Sequence, residues 1–265
     1  MKKILTVGCA ILLATLLQAQ QKQGTVIYER TTQMQAHFNI NGMENMVPQS
    51  RKEKFELTFG NNQSLWKQAE QDDNNSDVTS DGGGMQIRMV VAGSDDVTYC
   101  NFDASKRTDL RMMFDKKFIV DDSIRNMQWK LSDETKTVLG HVCHKATSTQ
   151  YSTRMQMNMN NGQMERKEVK DTSNIIAWFT SDVPVSAGPA EFQGQLPGLI
   201  LEMDIHDGRQ IYKAQSISEK TDLSSIKAPQ GKKHYTPDEF KAETTKMMQE
   251  MQKNNQGGRT QFRIN

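Results

Sequence analysis

The residues with the most distinctive chemistry in this sequence are its methionines. The chain has 265 residues, and 17 of them are methionine. Met155, Met157 and Met159 occupy alternate positions, and Cys143 and His144 lie upstream on the same predicted strand. Thioether, thiol and imidazole groups are ligands that suit Cu(I). One hypothesis is therefore a copper site formed by these five residues.

The same methionines also fit a role in packing or in apolar contact. Their alternation with polar residues between Arg154 and Asn158 is the pattern of a strand with one apolar face. Near the C-terminus, Met247 and Met251 recur with helical spacing. Methionine fills irregular apolar surfaces and lines surfaces that bind varied apolar partners. We therefore expect these methionines to contact apolar groups and expect no cofactor, with copper as the alternative.

Known catalytic motifs are missing from the sequence. It contains no nucleophile elbow, no phosphate-binding glycine loop and no His-Glu-x-x-His zinc helix. Acidic and amide residues between Asp73 and Asp81 have the spacing of a calcium loop but lack its glycine and its bidentate glutamate. They belong to a polar segment at about 68–86 that we predict to be a flexible loop. We expect no catalytic residue and a protein that is not an enzyme; the alternative is a hydrolase whose carboxylates are brought together only by folding.

Short alternating segments joined by turn residues dominate the chain and predict a β fold. Asn161-Gly162 and Asp207-Gly208 are hairpin signals that join neighbouring antiparallel strands. The low mean hydropathy, −0.71, fits a sheet with one packed face and one solvated face. We predict a mainly β protein with a single curved antiparallel sheet, half-barrel-like, over residues 21–235.

A C-terminal amphipathic helix is predicted at 236–253, followed by a flexible tail at 254–265. Thr236, Pro237 and Glu239 supply an N-cap, a proline at the first helical position and the acid of a capping box. Apolar residues then recur on one side of the helix. We expect this helix to lie across the open face of the sheet as a lid.

The N-terminal residues 1–20 have the features of a secretory signal peptide. Two lysines precede an apolar run, residues 4–17, that is too short for a membrane-spanning helix. We therefore expect an exported protein with no membrane span after the signal is removed. The 33 basic and 32 acidic residues nearly cancel, which argues against a nucleic-acid partner. Export permits a disulfide between Cys100 and Cys143, and the sequence leaves open whether they pair or remain thiols.

The segment Leu196-Pro197-Gly198-Leu199 predicts a corner that leads into a strand. Pro197 restricts its own backbone and that of Leu196, because its ring excludes most other conformations. Gly198 permits a turn with positive φ. From Leu199 to Ile205 apolar and polar residues alternate, which predicts a strand with one buried face.

This corner, with the residues that follow it, resembles the name motif of the GLPGLI family. The resemblance covers roughly residues 24–217, and the segments 140–146 and 177–180 are similar to other parts of that family. Gln195 stands where the first glycine of the motif is expected, and we predict that Gly194 supplies its backbone angle instead. The resemblance implies a protein exported by a Gram-negative bacterium, located in the periplasm or at the outer membrane, with no established activity.

These observations favour an exported, non-catalytic binding or assembly protein of the bacterial envelope. A concave β face would receive an apolar ligand or an outer-membrane protein. The residues predicted to line this site are Met155, Met157, Met159, Leu196, Pro197, Gly198, Leu199, Met247 and Met251. The alternative is a periplasmic copper-binding protein that uses Met155, Met157 and Met159 with Cys143 and His144.

Overall fold

A computed structural model describes most of the chain in five stretches. These are residues 21–33, 50–69, 95–113, 115–160 and 163–257. The predicted signal peptide, most of the predicted polar loop and the last part of the predicted tail lie outside the described residues.

The described residues form twelve β-strands and one α-helix. The strands are β1 (Gly24–Gln33), β2 (Ser50–Gly60), β3 (Gln63–Gln68), β4 (Val97–Asn101), β5 (Lys106–Met113), β6 (Lys116–Ser123), β7 (Lys130–Val138), β8 (His141–Asn160), β9 (Gln163–Thr180), β10 (Leu199–Ile205), β11 (Gln210–Ser218) and β12 (His234–Tyr235). The helix is α1 (Pro237–Gly257). Among these residues no helix is long and apolar enough to cross a membrane.

All twelve strands join one sheet, in the order β12-β6-β5-β4-β3-β2-β1-β11-β10-β9-β8-β7. Strands that neighbour each other pair antiparallel, except that the two-residue β12 runs parallel to β6. Within the described residues β7 and β12 lie at opposite ends, so the sheet is open rather than a closed barrel. The prediction of a mainly β chain with a single antiparallel sheet and a C-terminal helix is confirmed.

The buried side of the sheet, which we call the inner face, is built by alternation along the strands. Val26 and Tyr28 of β1, Leu57 of β2 and Trp66 of β3 all belong to the main hydrophobic core. Register places them side by side, because Val26 pairs with Leu57 and Leu57 pairs with Trp66. The inner face therefore carries a continuous apolar centre.

The chain between β9 and β10 covers this apolar centre. The apolar side chains of this covering segment (residues 181–198) join the same core. They are Val183, Val185, Ala187, Phe192 and Leu196. The expectation of an open, apolar concave face is therefore wrong for the described residues. The physical reason is that the protein itself buries this surface, which stabilises the fold by removing apolar area from water.

Specific hydrogen bonds hold the covering segment in place. The Ser64 hydroxyl of β3 bonds to the Gln193 side chain, and the Gly194 amide donates to the Ser186 carbonyl at 2.6 Å. Gly194 has a φ of +75°, the conformation that glycine adopts at little cost. This confirms the prediction that Gly194 supplies the special backbone angle. Gln195 serves another purpose: its Oε1 accepts a hydrogen bond from the Met127 amide at 3.0 Å.

Helix α1 packs at the β6 and β12 end of the sheet. The Phe240 ring of α1 and the Tyr235 ring of β12 both meet Phe118 of β6, with centroid distances of 5.2 and 5.3 Å. The predicted capping box is present, since the Thr236 amide donates to Glu239 Oε2 at 2.8 Å. Among the described residues, the main contacts of the helix are with β6 and β12 at this end, so it does not lie across the sheet as expected.

Candidate functional site

A polar cavity of about 240 Å³ opens on the inner face, where the covering segment leaves the sheet uncovered. Its walls come from six strands and from the short 3-10 turn at Ala190–Phe192. The lining side chains that carry the argument are Arg30, Glu53, Phe55, Trp66, Gln68, Asp96, Thr98, Arg111, Glu191, Gln210 and Tyr212.

Strand register brings these residues together although they are distant in sequence. Arg30 of β1 pairs with Tyr212 of β11 on one side and with Glu53 of β2 on the other. Farther along the sheet, Trp66 of β3 pairs with Thr98 of β4. Side chains of directly paired residues point to the same face of a sheet. A row of polar groups therefore runs across the inner face, next to the apolar centre.

Glu53 lies at the centre of the first charged group in this row. Its side chain is buried, with 5% of the residue exposed. Arg30 Nη2 donates to Glu53 Oε2 at 2.6 Å, and Arg51 Nη2 donates to Glu53 Oε1 at 2.7 Å. Burial alone would lower the pKa of Arg30, but its hydrogen bonds to Glu53 and Tyr212 raise it. Both oxygens of the buried carboxylate are thus satisfied by arginine.

Arg111 forms the second charged group, on the other side of the aromatic residues. Arg111 Nη1 lies 3.2 Å from Asp96 Oδ2, and Arg111 Nη2 lies 3.2 Å from Asp109 Oδ2. Asp96 also accepts a hydrogen bond from the Met112 amide at 2.8 Å, which fixes the carboxylate. Burial would lower the pKa of Arg111, but the two aspartates outweigh it and raise that pKa. Arg111 is therefore held as a cation in a fixed orientation.

Aromatic rings separate the two charged groups. Trp66 stacks on Phe55 with a centroid distance of 5.0 Å and meets the edge of Tyr212 at 5.9 Å. The Arg30 guanidinium lies over Phe55, 4.5 Å from the ring centroid. Burial, followed by the nearby Glu191 carboxylate, raises the pKa of Tyr212 to about 12. Tyr212 therefore keeps its proton at neutral pH and remains a hydrogen-bond donor.

The cavity thus offers fixed donors and acceptors beside aromatic rings. Its arginines are paired with carboxylates, and the Gln210 amide donates to the Tyr212 hydroxyl at 2.9 Å. Side chains that are already fixed by such hydrogen bonds and ion pairs can bind and orient a small polar molecule, because they lose little conformational entropy on binding.

The predicted site residues of the Leu-Pro-Gly-Leu corner are structural in the described protein. Leu196 and Leu199 are buried in the core, whereas Pro197 is exposed. Gly198 does not have the positive φ that we expected. It is glycine for another reason: a Cβ atom there would overlap the carbonyl group of Thr180. The corner therefore packs two strands tightly, and a ligand contact at its exposed Pro197 stays a prediction.

The predicted methionine site is divided between opposite ends of the sheet. Met155, Met157 and Met159 lie on β8, which is next to the last strand at one end. Met247 and Met251 lie on α1, which contacts β6 and β12 at the other end. Beside the helix, the described groove is lined by four charged residues and one alanine: Lys233, Glu239, Ala242, Glu243 and Lys246. The helix and the hairpin do not form one binding surface.

The copper hypothesis loses two of its ligands. Cys143 is buried, whereas the next residue, His144, is exposed. Both lie about 12 positions before Met155 on the continuous strand β8. At about 3.3 Å per residue this is a separation of roughly 40 Å. Cys143 and His144 therefore cannot share a metal ion with the methionines, and a site of methionines alone stays a prediction.

The described cysteines form no disulfide, and the described ionisable residues form no metal centre. Cys100 and Cys143 are both free thiols, which answers the question that the sequence left open. In the described part of the chain, no group of three histidine, cysteine or acidic side chains is arranged to hold a metal ion.

Sequence reasoning missed the charged row altogether. The available signal was an ionisable residue two positions from an aromatic one, as in Tyr28 and Arg30 or Phe55 and Glu53. Alternation places both members of each pair on the same face. Since the aromatic member is buried, the charged member must lie on the inner face as well. Whether such charges meet depends on strand order, which the sequence does not state.

Comparisons with known proteins assign no activity to this chain. Residues 129–202 match the model of a family described as a protein of unknown function, Porph_ging. A solved structure of PNGF-II aligns with a TM-score of 0.48 and 16% identity, over 81% of this chain and 31% of that chain. This chain thus spans less than a third of that protein, and no curated protein matches it. From β7 to the start of β10, the chain is similar to a family without an assigned function, and the GLPGLI name stays a prediction.

Proposed function

We propose that this protein is an exported, non-catalytic binding protein of the bacterial envelope, and that its polar cavity binds a small polar ligand. The signal-peptide pattern of residues 1–20 supports export. The proposal departs from an apolar ligand because the covering segment fills the apolar centre of the inner face. The observation that carries it is the convergence of charged, amide and hydroxyl groups from six strands around one cavity.

The free energy that is lost by burying charged side chains beside the core supports a binding role. Glu53 and Asp109 are buried carboxylates, and the desolvation of a buried ion pair can cost more free energy than the pairing returns. Apolar side chains at the same positions would extend the core at no such cost. A binding site is a reason to keep charges there, because it needs polar groups held in fixed positions.

The size of the cavity restricts the ligand. About 240 Å³ is below the usual range of roughly 300–1,000 Å³ for pockets that take drug-sized molecules. We therefore expect an amino acid, a monosaccharide or a small organic acid, or one side chain of a larger molecule.

Tryptophan fluorescence tests the proposal, because Trp66 forms part of the cavity wall. Replacing Trp129 and Trp178 with phenylalanine leaves Trp66 as the reporter. The mature protein would be titrated with amino acids, monosaccharides and dicarboxylates. We expect a saturable change in emission with at least one of these classes.

A matched pair of variants distinguishes the cavity from other surfaces. Gln68 lines the cavity, whereas Gln215 is an exposed residue of β11 outside it. Gln68→Met removes one hydrogen-bonding group at similar volume and is expected to weaken binding about fivefold. Gln215→Met is expected to leave binding unchanged. The proposal fails if no class gives a saturable response up to millimolar concentrations, or if the two variants bind equally well.

A further inference from the structure

We infer that the cavity recognises a cationic group, an ammonium or guanidinium on a flexible chain, and that Glu191 is its counter-ion. This inference rests on the proposed function and names the chemical class of the ligand. Three observations carry it: the balance of charge in the cavity wall, the placement of Glu191 and the aromatic surface beside it.

The side chains that line the cavity carry two positive charges, Arg30 and Arg111, and three negative charges, Glu53, Asp96 and Glu191. Arg51 and Asp109, which lie outside this lining, also bind Glu53 and Arg111. Arg30 is paired with Glu53 at 2.6 Å. Arg111 is paired with Asp96 at 3.2 Å. Glu191 also lines the cavity; it is an exposed residue, and no hydrogen bond or ion pair joins it to the described residues. A ligand that brings a positive charge completes this arrangement, whereas an anion would face an unmatched carboxylate.

Glu191 is held at the cavity by its neighbours in the chain. Phe192 is buried in the core with 2% of its surface exposed, and Gln193 with 1%. Gln193 bonds to Ser64 of β3, and its Nε2 donates to the Ala190 carbonyl at 2.9 Å. Ala190 adopts a φ of +50°, a costly conformation for a residue with a side chain. The backbone of the turn is therefore fixed on both sides of Glu191, so the turn needs no ordering before the exposed carboxylate meets a ligand.

Aromatic rings line the same cavity as Glu191. Phe55, Trp66 and Tyr212 belong to its wall, and Trp66 and Tyr212 meet edge to face at a centroid distance of 5.9 Å. Aromatic faces attract ammonium and guanidinium groups. The protein already makes this contact internally, since the Arg30 guanidinium lies 4.5 Å from the centroid of Phe55. Carboxylate and ring together favour a cation over a neutral polar group.

The same cation could come from a free amino acid or amine, or from a lysine or arginine side chain of a peptide. Isothermal titration of the mature protein would compare L-arginine with L-citrulline, which differs by the loss of the guanidinium charge. L-Lysine and L-norleucine form a second pair. The tripeptide Ala-Lys-Ala, with blocked termini, tests the peptide source. Tighter binding of the tripeptide than of lysine indicates a peptide ligand, and weaker binding indicates a free one.

Glu191→Gln is the decisive variant, and Glu219→Gln is its control, because Glu219 is an exposed carboxylate outside the cavity. We expect arginine or lysine to bind at least fivefold more tightly than its neutral partner. Glu191→Gln should remove most of that preference, and Glu219→Gln should not change it. Raising the salt concentration should weaken the binding of the cation more than that of its neutral partner.

Two results would overturn the inference and leave the proposed function standing. One is equal affinity for each charged ligand and its neutral partner. The other is a preference for the charged ligand that Glu191→Gln leaves unchanged. If no amino acid, monosaccharide or dicarboxylate binds at all, the proposed function and this inference fail together.

Discussion

Replacing Gly198 with alanine should destabilise the protein strongly, although its backbone conformation is open to any residue. An added Cβ atom would lie 2.8 Å from the carbonyl carbon of Thr180 and closer still to its oxygen. Thr180 pairs with Leu199 where β9 meets β10, and both residues are fully buried. Relief of the overlap requires the two strands to move apart at a point where no space is free.

The expected loss has three parts. Overpacking of a core position costs about 1–3 kcal/mol, and a weakened backbone hydrogen bond between the strands costs about 1 kcal/mol. Alanine recovers about 0.5–1 kcal/mol by restricting the unfolded chain. The free energy of unfolding should therefore fall by about 1–3.5 kcal/mol, with a central value of about 2 kcal/mol.

Urea unfolding followed by far-UV circular dichroism measures this change. Gly208→Ala is the matched control, because Gly208 has a φ of +85° but no atom within 4 Å of an added Cβ. That variant should lose only about 1 kcal/mol, the cost of a left-handed conformation. The reasoning is refuted if Gly198→Ala changes stability by less than about 0.5 kcal/mol, or by no more than Gly208→Ala.

Three further predictions follow from described contacts. Gln195→Ala removes two hydrogen bonds that tether segment 125–127 and should cost about 1–2 kcal/mol in urea unfolding; an unchanged midpoint would contradict this. Partial burial alone would raise the pKa of Asp121. Its hydrogen bonds, of which the bond from Thr108 has the largest effect, outweigh burial and lower that pKa. The stability that Asp121 contributes is therefore present at neutral pH and lost as pH falls through its depressed pKa. Asp121→Asn should destabilise the protein more at pH 7 than at pH 2, and an equal loss at both pH values would exclude this role. Burial raises the pKa of Cys100 to about 12. The Cys100 thiol should therefore resist alkylation by iodoacetamide at pH 8 until urea unfolds the protein. Rapid alkylation of Cys100 in the native protein would refute its burial.

The elements of the fold could be predicted from local pattern, whereas their spatial relations could not. Alternation identified β10, and the capping residues at Thr236 and Glu239 identified the start of α1. Both signals depend on neighbours within a few residues. The position of α1 depends on long-range contacts such as that of Phe240 with Phe118, which the helix pattern does not reveal.

The candidate site shows the same limit more sharply. The methionines drew attention because they are frequent and regularly spaced, yet strand order places Met155 and Met247 at opposite ends of the sheet. The cavity combines Arg30, Glu53 and Arg111 from strands that the sequence separates widely. In the sequence, each of these residues has the pattern of an ordinary solvated charge. They become neighbours through the order and register of the strands in the folded sheet.

The covering segment makes the cavity wall part of the hydrophobic core. Phe192 and Leu196, on either side of Gly194, are both buried among residues of the sheet. The segment that carries Glu191 is therefore not a mobile flap, and it cannot swing aside without exposing the core to water. The cavity is complete once the chain has folded, so a ligand binds the folded state without a further ordering step. Ligand binding should therefore raise the melting temperature of the whole protein.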